Sequence, residues 1–137
     1  MITEGIVIKL KADTTLAALT TEIVPVGIVK GLKSPCIVYH VGTNPDLNDA
    51  QGATGYRLAR FQFDCYSGSN YTEAKKVAKA LRGALGTFKD TTLTDADSTF
   101  VQGCLIDFES DMPFVPTATK TIEFRTMVQV SVWYKES

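Results

Sequence analysis

The sequence predicts an α+β domain in two layers: a mainly antiparallel sheet of four to five strands with two main helices packed on one of its faces. Three observations carry that prediction. From Ala59 the apolar residues alternate as Ala59, Phe61, Phe63 and Cys65, with Arg60, Gln62, Asp64 and Tyr66 between them, which is the period of a strand with one buried face. Further on, Tyr71, Ala74, Ala78, Leu81, Leu85 and Phe88 recur at helical spacing, widened by Val77 and Ala84, while Lys75, Lys76, Lys79 and Arg82 fall opposite. Near the end, Ile122, Phe124, Val128, Val130, Val132 and Tyr134 alternate with Glu123, Arg125, Gln129 and Ser131, broken only by Thr126.

In chain order, residues 2–12 fit either a short amphipathic helix or a strand alternating Ile6, Ile8 and Leu10. Helix is preferred, because Thr3 offers a cap, Glu4 suits the positive end, and Lys9 and Lys11 suit the negative end. Asp13 is a second cap candidate, for a helical turn or two over 14–19. Pro25 removes a backbone donor from the extended piece at 22–29 and places it at a sheet edge or outside the sheet. Residues 36–41, 57–66, 99–109 and 121–134 are the predicted sheet strands, with helices over 2–12 and 70–86. Asn70 followed by Glu73 offers a reciprocal cap at the start of the second helix. The alternation over 100–109 puts Phe100, Cys104, Ile106 and Phe108 on one face, and Val101, Leu105, Asp107 and Glu109 on the other. A closing strand of about fourteen residues runs roughly 45 Å. Part of it is expected to project past its neighbours, and a free edge must be paired, bent or covered.

A chain of 137 residues is expected to form one domain, 1–137. Its 14 basic and 15 acidic residues give a net charge of −1, without the basic excess of a dedicated nucleic-acid binder. Apolar runs are short and interrupted, and the opening Met1-Ile2-Thr3-Glu4 is acidic, so neither a membrane partner nor a secretory leader is expected. Cys36, Cys65 and Cys104 each sit in an apolar strand-like run without Cys-x-x-Cys spacing, which reads as reduced core thiols of a cytosolic protein and not as a zinc site.

Candidates for chemistry are few, and no catalytic, cofactor or metal residue is assigned. The polar stretch 42–55 includes Gly52-Ala53-Thr54-Gly55, which lacks the Lys-Ser/Thr tail and following helix of a phosphate loop. It also lacks the Asp/Asn spacing and terminal Glu of a calcium loop. Because loops of that length usually serve a function, Asn44, Asp46 and Asp49 are taken as contact candidates. His40 stands mid-strand with no nucleophile placed beside it. The row Lys75, Lys76, Lys79, Arg82 reads as a solvated face or a partner for acidic residues, and Asp107, Glu109 and Asp111 as an acidic rim. Phe114, between Pro113 and Pro116, either anchors a neighbouring subunit or folds back on its own core. Met127 and Trp133, on the polar face of the last strand, fit either a subunit contact or a covering helix.

The leading helix with its Ala/Leu turn, the isolated Ile23-Val24-Pro25, the run Ser34-Pro35-Cys36-Ile37-Val38-Tyr39, the strand 60–67 and the helix 71–82 together resemble, in order and spacing, the tail completion (tail terminator) proteins of long-tailed phages. That resemblance implies a structural virion protein rather than an enzyme, with no cofactor; a different neck component, such as a stopper or adaptor, is the alternative, and a small enzyme with a pocket around His40 a more distant one. Its copies would form a ring, commonly a hexamer, on the last ring of the tail tube. There the ring ends tube growth and joins the tail to the head connector proteins, while DNA only passes through the lumen. It further implies assembly in the host cytoplasm and a final place at the neck of the tail.

Overall fold

The chain's computed structural model describes residues 2–20, 22–25, 35–42, 46–49, 52–67, 71–94, 98–111 and 124–135. Three helices, α1 (Ile2–Ala12), α2 (Thr14–Ala17) and α3 (Tyr71–Leu85), accompany seven strands. The strands are β1 (Ile23–Pro25), β2 (Cys36–Val41), β3 (Asp46–Asp49), β4 (Gly52–Ser67), β5 (Thr91–Thr92), β6 (Phe100–Asp111) and β7 (Phe124–Lys135). Six of them lie in the order β1-β2-β4-β7-β6-β5, and β3 pairs β4 off that path. Among the described residues β1 and β2 pair in parallel and the other recorded pairs are antiparallel. The broad α+β expectation holds, but seven strands replace the four to five expected, because β1, β3 and β5 are too short to show an alternation. Nor do two plain layers describe the chain: α2 contacts both α1 and α3, and β3 extends the sheet past the strands that the helices contact.

The register between β4 and β7 fixes the faces. Eleven residues of each strand pair, from Arg57 with Tyr134 to Ser67 with Phe124. Ala59, Phe61, Phe63 and Cys65 thereby stand opposite Val132, Val130, Val128 and Thr126, and all eight are buried. Ile37 and Tyr39 of β2 join them across Cys65 and Phe63. Ile2, Ile6 and Leu10 of α1, with Val77, Ala78, Leu81 and Leu85 of α3, complete this core. Burial of this apolar surface supplies the main drive to fold.

The helix reading of 2–12 is correct, and Ile2, Ile6 and Leu10 recur every four residues on its buried side while Ile8 is 42% exposed. Asp13 caps α2: its Oδ1 accepts a hydrogen bond from the Leu16 N–H at 2.9 Å. The Thr20 hydroxyl donates to the Pro35 carbonyl at 2.7 Å and accepts from the Glu22 N–H at 3.1 Å, which pins the exit from α2 to the start of β2. Asn70 lies outside the described residues. Glu73 is engaged from another direction, accepting from the Ser67 hydroxyl at 2.8 Å, so the first turn of α3 is tied to the end of β4.

Three local expectations are corrected. The stretch 42–55 holds β3 and the opening of β4, whose Asp49 and Gly52 pair as a hairpin does. Among the described residues the longest strand is β4 with sixteen; β7 spans twelve, the expected strand positions 121–123 lying outside the described residues, and it runs inside the sheet between β4 and β6, so it is not an overhanging edge. In β6, Gln102 and Asp107 are extra residues in bulges against β7. These two insertions put Val101, Cys104, Ile106, Glu109 and Asp111 across from inward residues of β7, and leave Leu105 and Phe108 on the other face. Strict alternation grouped Phe100 and Phe108 with Cys104 and Ile106, and Val101 and Glu109 with Leu105, and the bulges break both groups.

Cys36 and Cys65 are buried and Cys104 is half-buried, and none of the three is in a disulfide. Burial pushes the Cys65 thiol far above its ordinary range, with the neighbouring Asp64 charge adding to it, and burial pushes Cys104 up to about 12. No described helix is long and apolar enough to cross a membrane.

Truncating Phe61, which stacks on Phe63 at 5.7 Å between ring centroids, removes the centre of this core. Phe61→Ala is expected to lower the unfolding free energy by about 3–5 kcal/mol in a urea titration. Asp13→Ala, which removes only a cap, is expected to cost about 1 kcal/mol in the same measurement.

Candidate assembly interface

The face of the sheet turned away from the helices is built from the alternate residues of the same strands. Leu58, Arg60, Gln62, Asp64 and Tyr66 of β4 stand there beside Trp133, Ser131, Gln129, Met127 and Arg125 of β7. Among the described residues no helix covers this face. Met127 and Trp133 therefore occupy the position expected of them, half-buried, with β6 residues as their neighbours: Gly103 opposite Trp133 and Ser110 opposite Met127. Between those pairs project Leu105, 57% exposed, and Phe108, 46% exposed, across from Ser131 and Gln129. Sequence alternation placed Leu105 and Phe108 on opposite sides, so it missed this patch. The bulge that brings them together is at Asp107, where no glycine marks it; Gly103 flags only the earlier bulge at Gln102.

A polar network crosses the same face. Asp64, 5% exposed, pairs with Arg125 at 3.0 Å and accepts from the Gln62 amide at 3.2 Å, while the Arg125 guanidinium lies 5.7 Å from the centre of the Tyr66 ring. Ser131 donates to Asp107 at 2.7 Å. A carboxylate so enclosed needs its cation, because burying a charge without a partner is costly.

The basic row of α3 and the acidic rim of β6 answer each other within the chain. Lys75 Nζ lies 2.9 Å from an Asp111 oxygen and 3.6 Å from Glu109, and Arg82 Nε lies 3.3 Å from Glu109. The Tyr71 hydroxyl donates to Asp111 at 2.6 Å, and its ring meets Phe124 edge-on at 6.4 Å. Tyr71, expected in the apolar stripe, is instead 47% exposed, because it opens the helix beyond the core and reaches the β6 carboxylate. These hydrogen bonds hold the Asp111 carboxyl below its usual range and raise the Lys75 ammonium and the Tyr71 phenol above theirs. Lys76 and Lys79 remain exposed.

Asn44 and Phe114 lie outside the described residues. Asp46 and Asp49 sit at the two ends of β3, which pairs with β4 over Arg57, Ala53 and Gly52. Among the described residues β4 pairs with β7 from Arg57 onward, and its residues 52–56 run about 16 Å past that register, with Lys135 Nζ of β7 5.8 Å from the centre of the Tyr56 ring. β3 and this part of β4 form a two-stranded arm. The structure thus separates the predicted contact residues into an arm (Asp46, Asp49) and an open face (Met127, Trp133). His40 stands across from Gln62 on the same open face. An open groove of about 520 Å³ lies between α2 and α3, and His40 does not line it. Among the described residues no group of three or more His, Cys, Asp or Glu side chains is placed to hold a metal ion.

No family model matches this chain, and no curated protein matches it. The fold is nevertheless shared with solved structures. A chain of the virion of a native gene transfer agent particle superposes with a TM-score of 0.64 at 19% identity, over 95% of this chain and 91% of that one. Agreement over nearly the full length of both chains identifies one fold.

Arg125→Ala leaves Asp64 enclosed without its cation and is expected to cost about 2–3 kcal/mol in chemical unfolding; adding Asp64→Asn is expected to recover part of that loss. The pH profile has a fixed sign. With its folded pKa depressed, Asp111 stabilises the fold above the carboxyl's unfolded pKa, and that contribution is lost as pH falls through the folded value. The raised Lys75 acts at the other end: its share is present below the unfolded lysine pKa and is lost as pH rises through the folded value. Thermal unfolding of Asp111→Asn is therefore expected to fall below wild type at neutral pH and to converge with it in acid.

Proposed function

We propose that this chain is a structural component of a phage or phage-like virion, and specifically a tail completion protein working as a single domain. Its copies close into a ring, a hexamer by the family resemblance, on the last ring of the tail tube. The ring stops tube growth and offers its other side to the head connector proteins, while the genome passes through the lumen. Assembly takes place in the host cytoplasm, and the finished ring sits at the neck.

The observation that carries this reading is the fold shared with a chain of a gene transfer agent virion over 95% of the length of this one. The order of sequence pieces that resembles tail completion proteins points to the same kind of particle. The mechanism is geometric: a head-to-tail contact repeated with a fixed rotation closes a ring, and a capped tube end lacks the surface that recruits the next layer. A net charge of −1 suits a lumen through which DNA slides without being gripped. A second reading, another neck component such as a stopper or adaptor, draws the same support from the fold shared with a chain of a virion.

Purified protein mixed with tail tubes, followed by light scattering and negative-stain imaging, tests the proposal. The expected outcome is a ring at one tube end and tubes that no longer elongate. Binding to the portal side alone supports the second reading, and a stable monomer that ignores both overturns the assignment.

A further inference from the structure

We propose that the groove between α2 and α3 receives helix α1 of a second copy of this chain, laid parallel to α3, with Glu4 at Lys76 and Lys79, Ile8 on the groove floor and Lys11 at Asp13. This contact rests on the ring reading above and names the pair of surfaces that closes the ring. The floor is set by residue size. Ala80, Gly83 and Ala84 of α3 line it, and a Cβ added at Gly83 would meet nothing within 4 Å. Helix axes pack about 8–10 Å apart, nearest where the side chains at the contact are small, so this floor admits another helix closely.

Charge around the floor is unbalanced. Lys76 and Lys79 rim the groove and are exposed, and among the described residues neither meets a carboxylate, whereas Lys75 and Arg82 on the same helix are held by β6. Beyond the floor, Asp13 stands beside Ala84, lining with it both this groove and a smaller hollow next to it. One oxygen of Asp13 accepts from the Leu16 N–H, which leaves the other for a cation. Along α3 the groove therefore runs from positive, over an apolar middle, to negative.

The outer strip of α1 carries the matching order. Burial of Ile2, Ile6 and Leu10 turns Glu4, Ile8 and Lys11 outward together, at the spacing of one helical face. Ile8 is 42% exposed, and neither Glu4 nor Lys11 has an ion-pair partner among the described residues. Lengths agree as well. Glu4 and Lys11 lie about 10.5 Å apart along a helix, and the midpoint of the two groove lysines lies about 10 Å from the level of Ala84. Laid antiparallel, the same strip would set Lys11 against Lys76 and Lys79, and Glu4 against Asp13, so charge selects the parallel setting. Because strip and groove are different patches of one chain, the contact is heterologous and repeats until rotation closes it.

Charge reversal tests the contact. Lys76→Glu with Lys79→Glu alters the groove and Glu4→Lys alters the strip, all at exposed positions, and unfolding curves verify that each variant folds. Each is expected to self-associate at least about tenfold more weakly than wild type, read by light scattering in solution and by cross-linking on tube ends. The chain carrying all three changes is expected to recover to within about threefold of wild type. Gly83→Glu fills the floor and gives Lys79 a partner one turn along its own helix, so it is expected to raise thermal stability and still weaken association, a split that a change acting only through folding cannot produce. Reversed variants that associate like wild type, a triple variant that recovers nothing, or wild type that self-associates in neither setting overturns the contact. Wild-type rings on tube ends without this rescue leave the ring reading standing. Wild-type assemblies that show the rescue yet ignore tail tubes overturn the functional reading and leave the contact standing.

Discussion

The eleven-residue antiparallel pairing of β4 with β7 is the constraint on which the rest of the molecule depends. Because side chains alternate strictly along a strand, one register sets which residues of both strands meet the helices and which meet the outside. Phe61 against Val130 and Phe63 against Val128 fall on the helix side, and a slip of one residue would exchange this row for Arg60, Gln62 and Asp64. The buried row and the polar row are therefore alternatives, and only the observed register buries the first.

Around that central pair the edges are handled differently. Beside β2, the short β1 ends at Pro25, which lacks a ladder donor. Beside β7, β6 is long and bulged twice, and α3 holds it through Lys75 and Arg82. The ion pairs are partly solvated, so their worth in stability is small; their effect is to fix where the helix meets the edge. Bulges at Gln102 and Asp107 turn Glu109 and Asp111 toward those cations and release Leu105 and Phe108 to the open face. Two local irregularities together thus accompany the intramolecular tie and the exposed apolar pair.

A protein that acts by position needs surfaces more than it needs a cleft. The features that stand out here are an arm running past its neighbouring strand, an edge with large apolar side chains, and a sheet face crossed by an enclosed Asp64–Arg125 pair. Such features suit repeated contact between copies, where buried area and strand pairing give affinity and a few charges set orientation.

Much of this was legible in the amino-acid sequence. The alternation of Ala59 to Cys65 and of Val128 to Tyr134, the helical spacing from Ala74 to Leu85 and the Asp13 cap are local patterns that the chain carries without reference to anything distant. The place of Met127 and Trp133 on the polar face of the last strand followed from the same alternation, whereas whether a helix covers that face did not. What the sequence left undecided were the pairings. β3 gains its strand character only by lying against β4, β7 became an inner strand only because β6 adds to its far side, and Lys75 met Asp111 across 36 residues of chain. The physical reason is range: periodicity records which side of an element is apolar, whereas register, bulges and ion pairs depend on which element lies alongside, and tertiary packing alone decides that.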